Sequence, residues 1–188
     1  LVAGEPEPGL TFVRAPVAGR VARVVVTGGA SGNIAAACYW RRGAAIVALC
    51  DVLENSGVRC EVVLGFENTP LFKNDDPDID ISKHGITIKR SEDALDLDLM
   101  AFALCHPATL RRLSFAVREG LPRDWRRKFG FGVGKCGYGH TETYKPDNAD
   151  ADNDIVVGRL LDESVWSNDE QMVDWIKKQV AGFVDITE

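Results

Sequence analysis

The stretch "AAIVALCDVLENSG", residues 44–57, decides the fold. Read as a strand and turn, "AAIVALC" becomes the second strand of a dinucleotide-binding unit, with Asp51 placed to meet a ribose. Read as a helix, it sets Ile46, Leu49, Cys50 and Leu53 at i, i+3, i+4 and i+7, one apolar stripe at helical spacing. Val47 and Val52 widen the stripe, and Gly57 supplies a left-handed stop after Asn55 and Ser56. The strand reading also leaves only "VLENSG" before the next apolar run, too short for the helix of a parallel crossover. The spacing therefore predicts one helix over 35–56. Within it, Gly43 costs roughly 1 kcal/mol against Ala and admits a close neighbour.

On either side lie two strands. "VARVVVT" (21–27) is a short β-branched run of the kind buried on both faces of a sheet. "VRCEVVLGF" (58–66) turns Val58, Cys60 and Val62 one way and Arg59 and Glu61 the other. Strand, helix and strand in this order make a right-handed parallel crossover. Further along, "ENTPLFKNDDPDIDISKHG" (67–85) reads as an acidic loop with strand character near Ile79–Ile81, and "ITIKR" (86–90) as a third strand. "SEDALDLDLMAFALCH" predicts a helix capped by Ser91. Pro107 opens another helix, with Leu110, Leu113 and Val117 inward and Gly120 at its end. Residues 121–153 read as irregular, and "DIVVGRLL" (154–161) as a fourth strand. The last helix takes Ser167 as N-cap, Asp169 and Glu170 in its first turn and Lys177 and Lys178 near its end, an order that complements the helix dipole.

The chain of 188 residues is 45% apolar, enough to bury a core, and one domain's length. Residues 21–188 are expected to form that domain, and residues 1–20, with three Pro and three Gly, an arm carrying an edge strand at "LTFVRA". The first residue is Leu rather than Met, as expected of a fragment of a longer product. With 22 basic and 28 acidic residues the net charge is −6, which disfavours polyanion binding by the whole surface. Cysteines at 38, 50, 60, 105 and 136 are odd in number and form no C-x-x-C, so free buried thiols in a reducing, cytoplasmic setting are expected. No apolar run approaches the ~20 residues of a bilayer span, so no membrane partner is expected.

The loop after the first strand, "VVVTGGASGNI" (24–34), has the look of a nucleotide-binding turn. Aligned on Gly28 and Gly32, however, the third glycine of the dinucleotide pattern is Ile34, and no tyrosine stands four places before a lysine. An NAD(P)-dependent enzyme resembling the short-chain dehydrogenases is therefore the least favoured reading. The order of elements resembles instead the von Willebrand factor A-like domains, whose first strand ends in a metal-binding Asp-x-Ser-x-Ser loop. The matching positions are Thr27, Gly29 and Ser31, so the carboxylate is missing. A hard divalent cation depends on such oxygen anions, and no cofactor is expected beyond a weakly held divalent ion. Thr27, Gly29, Ser31 and Asn33 remain candidates for holding a small anion or a partner's side chain at a helix N-terminus.

Three further motifs, "RRGAAIVALCDVLENSGVRCEVV", "HPATLRRLSFAV" and "WSNDEQMVDWI", occur in order. Over about residues 20–180 the chain resembles a family of uncharacterised proteins from phages, plasmids and related mobile elements, with a degenerate A-domain-like core. That resemblance implies an α/β three-layer sandwich with a mostly parallel, Rossmann-like sheet. It carries no assigned activity.

Other chemistry is thinly represented. "GFGVGKCG" (130–137) leaves three residues where a phosphate loop needs four, and Cys136 stands where Ser or Thr should hold magnesium. Asp75, Asp76, Asp78 and Asp80 lack the Gly and Glu of a calcium loop. His84, His106 and His140 stand far apart, and no catalytic set or metal site assembles. Residues 107–136 hold eight basic residues against two acids, +6 in a chain whose remainder is −12. Arg111, Arg112, Arg123, Arg126, Arg127, Lys128 and Lys135 are the nucleic-acid candidates there, with Trp125, Phe129, Phe131 and Tyr138 beside them. A solvated face balancing the acidic loop is the plainer account. The leading expectation is a non-catalytic module binding a protein partner through the strand-end loops, and the alternative is nucleic-acid binding or processing through the basic segment.

Overall fold

The structure, a computed structural model, describes residues 19–69, 80–131, 140–160, 166 and 168–184. The deciding stretch is helical throughout: α1 spans Ala36–Asn55 between β1 (Val21–Thr27) and β2 (Arg59–Thr69). Gly57 ends the turn at φ 84°, a conformation a Cβ disfavours, and the chain re-enters the sheet at Arg59. Ile46, Leu49, Cys50 and Leu53 are buried over Val24 and Val26 of β1 and Cys60, Val62 and Leu64 of β2. Val52 stays exposed.

β1 pairs parallel with β2 from Val21↔Arg59 to Thr27↔Gly65, and with β5 (Asp154–Val157) on its other side. β3 (Ser82–Lys89) joins β2 antiparallel, giving the order β3-β2-β1-β5. A short β4 (His140–Glu142) pairs antiparallel with Glu67–Thr69 of β2, just past the end of β1. The class is α/β with a mostly parallel central sheet. α2 (Leu97–Cys105) and α5 (Asp169–Ala181) share the core of α1 on one face. On the other, Tyr144 lies against Gly65 and Gly85, where any Cβ would strike its ring or hydroxyl. Arg23 grips Asp154 there, with Nε–Oδ1 at 2.7 Å and Nη2–Oδ2 at 2.6 Å.

Gly43 shows its use in the α1–α2 contact. A Cβ there would stand 2.8 Å from the carbonyl carbon and oxygen of Leu104 and collide with the Cys105 sulfur. Overpacking costs ~1–3 kcal/mol, and Ala recovers ~1 kcal/mol of helix propensity. Gly43→Ala should therefore lower stability by about 1 kcal/mol in urea melts. A rise would mean that α2 moves freely off α1.

Several sequence expectations are corrected. The loop at 67–85 is narrower, because β2 runs to Thr69 and β3 starts at Ser82, pairing Asn68↔Ser82 and Phe66↔His84. The polar run "SKHG" conceals a strand with one exposed side. Residues 70–79 lie outside the described residues, as do 1–18, Cys136 and Ser167. Ser91 does not cap α2. Arg59 donates to the carbonyls of Ser91 (2.8 Å) and Asp93 (2.9 Å), holding that stretch as a turn. Asp96 caps the helix instead, accepting from the Leu99 amide at 2.9 Å. Asn168 caps α5 through the Gln171 amide at 2.9 Å. The stretch expected to be irregular contains both β4 and a helix, α4 (Arg123–Lys128), each too short to show a period.

The helix opened by Pro107 departs most. Thr109–Leu113 form a π-helical turn and α3 follows over Ser114–Glu119. The wider turn shifts the helical phase. Leu113 and Val117, expected inward, are exposed, and Ser114 and Arg118 are buried in their place. The Leu110 side chain lies outside the described residues. Cys38, Cys50, Cys60 and Cys105 are buried free thiols. Among the described residues no helix is long and apolar enough to cross a membrane.

Candidate functional site

β1 is where the sheet order reverses: the chain goes from it to β2 on one side and returns to β5 on the other. Open α/β sheets bind ligands at such a switch point, outside the carboxyl ends of the strands. The Gly28 amide donates to the Gly65 carbonyl at 2.7 Å, closing the end of β1. Leu160 then brackets the turn, donating to the Gly29 carbonyl (3.3 Å) and accepting from the Ser31 amide (2.9 Å). Glycine is required in this turn for close approach. A Cβ on Gly28 would enter the Phe66 ring, and one on Gly29 would strike Thr141. α1 begins with neither a side-chain cap nor an acid in its first turn. The positive end of a 20-residue helix thus opens on this edge.

A cleft of about 280 Å³ lies here. Gly28, Gly29, Ala30 and Gly32 line one side, Tyr39 of α1 and Phe66 of β2 the interior, and Thr141 of β4 the rim. α3 overhangs it with Ser114, Phe115 and Arg118. No carboxylate is among these lining residues. Arg118 is 3% exposed, its guanidinium 5.3 Å from the Phe131 ring and 5.7 Å from the Phe115 ring. His84 stacks on Phe66 at 5.0 Å. Burial first, and then the Arg118 charge, hold the His84 pKa below its usual value.

A second cation lies underneath. Arg42, on α1, is fully buried and donates from Nη1 to the Thr27 carbonyl at 3.0 Å and toward Gly158 O at 3.4 Å. Burial lowers its pKa to about 10. Its Nε and Nη2 find no acceptor among the described residues. The edge therefore carries two buried guanidinium groups, Arg118 in the cleft and Arg42 below the Thr27–Gly28 floor.

The structure separates the loop candidates. Gly29 lines the cleft. Thr27 is buried, and its hydroxyl accepts from the Tyr144 amide at 3.1 Å. Ser31 is half-buried beside the cleft and Asn33 is exposed. Of the basic candidates, Arg112, Arg123, Arg127 and Lys128 are exposed and Arg126 is half-buried, whereas Lys135 and the Arg111 side chain lie outside the described residues. Sequence reasoning counted Arg118 only as part of the charge excess, yet among the described residues it is the basic one that lines the cleft. His106 ends α2, its Nδ1 accepting from the Ala108 amide at 3.1 Å. The His140 side chain, Tyr138 and Asp75, Asp76 and Asp78 lie outside the described residues. Among the described residues no group of three or more His, Cys, Asp or Glu is placed to hold a metal ion. A second, polar hollow at Asp150–Asp154 is internally satisfied: Asp150 accepts from Asn153 and Asp152, and Asp154 is taken by Arg23.

No curated protein and no solved structure matches the chain. A family model described as "Domain of unknown function (DUF7192)" matches residues 1–185, nearly the whole sequence. The chain with this glycine turn and arginine-bearing cleft belongs to the DUF7192 family.

Proposed function

We propose that the chain is a non-catalytic, A-domain-like protein-binding module whose strand-end cleft holds an acidic side chain of its partner. The A-domain-like reading is supported by the succession of β1, a Gly/Ser turn, the long α1 and a parallel β2. The observation that carries the function is Arg118, a buried cation that lines the strand-end cleft together with aromatic rings, hydroxyl side chains and the glycine turn. In such surroundings a guanidinium is weakly screened, and its planar fork matches a carboxylate. The loop that would hold a cation in an A-domain has Thr27 in place of the acid, and a cation now overhangs it. The preference of the edge is thereby inverted, from metal to anion.

Calorimetry with a blocked glutamate-rich peptide tests this. Wild-type protein should bind it saturably without added metal, and Arg118→Gln should weaken binding by about tenfold or more, the worth of a hydrogen bond to a charged group. Magnesium should give only weak surface binding. Equal affinity in the variant, or peptide binding that requires magnesium, would overturn the assignment.

A further inference from the structure

We propose that α4 is a stacking and phosphate-binding ridge for single-stranded nucleic acid, a second surface independent of the cleft reading. The helix "RDWRRK" leaves Trp125 52% exposed, and the ring is not adrift. It rests on Phe129 at 5.7 Å, Phe129 rests on Phe131 at 5.9 Å, and Phe131 is buried. An exposed indole held against two tilted aromatic neighbours is a platform that any base can cover, because every base has a π-face.

Cations surround that platform. Lys128 Nζ lies 5.7 Å from the Trp125 ring centre. Arg123 and Arg127, one turn apart, are exposed and form no ion pair with any described residue. Two described carboxylates lie at the ridge, Asp124 on α4 itself and Asp80, which takes Lys128 at 3.1 Å, and neither pairs with Arg123 or Arg127. Charge complementarity selects the occupant: a chain of net −6 that gathers arginines, unpaired among the described residues, beside an exposed indole suits a flexible polyanion carrying flat rings. A duplex offers its phosphates but hides its base faces, so single strands are preferred.

Fluorescence anisotropy with a labelled 15-mer of deoxythymidine, and with a duplex of the same length, tests the ridge over a range of salt. Trp125→Ala should weaken single-strand binding by about tenfold, as expected for loss of one stacked base. Arg123→Gln with Arg127→Gln should flatten the salt dependence by about 1.4 in the log–log slope, ~0.7 per phosphate contact on a single strand. Both changes lie on exposed positions, and unchanged melting curves confirm the fold. Three results would overturn the proposal: no binding at low salt, tighter binding of the duplex, or binding indifferent to Trp125. The last would mark α4 as a surface for an acidic protein instead.

Discussion

Glu54→Ala should cost about 3–5 kcal/mol of folding stability, the usual loss when one partner of a buried ion pair is removed. Lys89 is 3% exposed, and its Nζ lies 2.5 Å from Glu54 Oε1. The ammonium also donates to the Cys60 carbonyl at 2.9 Å and the Arg90 carbonyl at 3.2 Å, so each proton has an acceptor. Glu54 further accepts from the Cys60 amide at 3.3 Å and stands 3.8 Å from Arg59. One carboxylate thus ties the last turn of α1 to both β2 and β3. Truncating it strands a charge in the core, where neutral packing would serve better. The double replacement Glu54→Leu with Lys89→Met should accordingly recover most of the loss in urea melts. A single-variant cost below about 1 kcal/mol would mean that water reaches the pair.

Arg42→Met should have the opposite sign and raise stability by about 1–3 kcal/mol, because it exchanges an ill-satisfied buried charge for an apolar chain of similar reach. Two of its three nitrogen positions lack an acceptor among the described residues. The pH dependence has a defined sign. Burial lowers the folded-state pKa to about 10, below the ordinary arginine value, so the unfolded chain binds the proton more tightly. The penalty is full below pH 10 and is relieved as pH rises above it, so the gap between variant and wild type should narrow there. The same substitution should weaken binding of the acidic peptide, because the charge under the Thr27–Gly28 floor is lost. A variant that unfolds more easily instead would make Arg42 a structural bolt between β1 and β5.

The α1 region was legible because its signals agree. Stripe, length and the glycine stop all fall on one 20-residue helix, and β1 and β2 follow from β-branched runs beside it. Short elements were not legible: α4 has six residues and β4 three, less than the window in which any period can be seen. Caps misled where several candidates compete. Ser91 had the right chemistry, but its stretch is held as a turn by Arg59, a contact with no local signature. The position of the glycine turn was readable from "TGGASG", though not what faces it. Arg118 enters the cleft only because the π-helical turn at Thr109–Leu113 rotates α3, and the apolar spacing of Leu113 and Val117 argues for the other phase. Exposing those two residues is locally costly, and a helix phase chosen against its own hydrophobic pattern is the kind of conflict expected at a functional site.

The most direct test of the strand-end anion site is a titration of nitrogen-15-labelled protein with N-acetylglutamate, followed by amide and arginine Nε–H chemical shifts. The cleft predicts that Gly28, Gly29, Ala30 and the Arg118 side chain move together, along one saturable curve, without added metal. If those signals stay fixed while others move, or move only when magnesium is supplied, the anion site is not there.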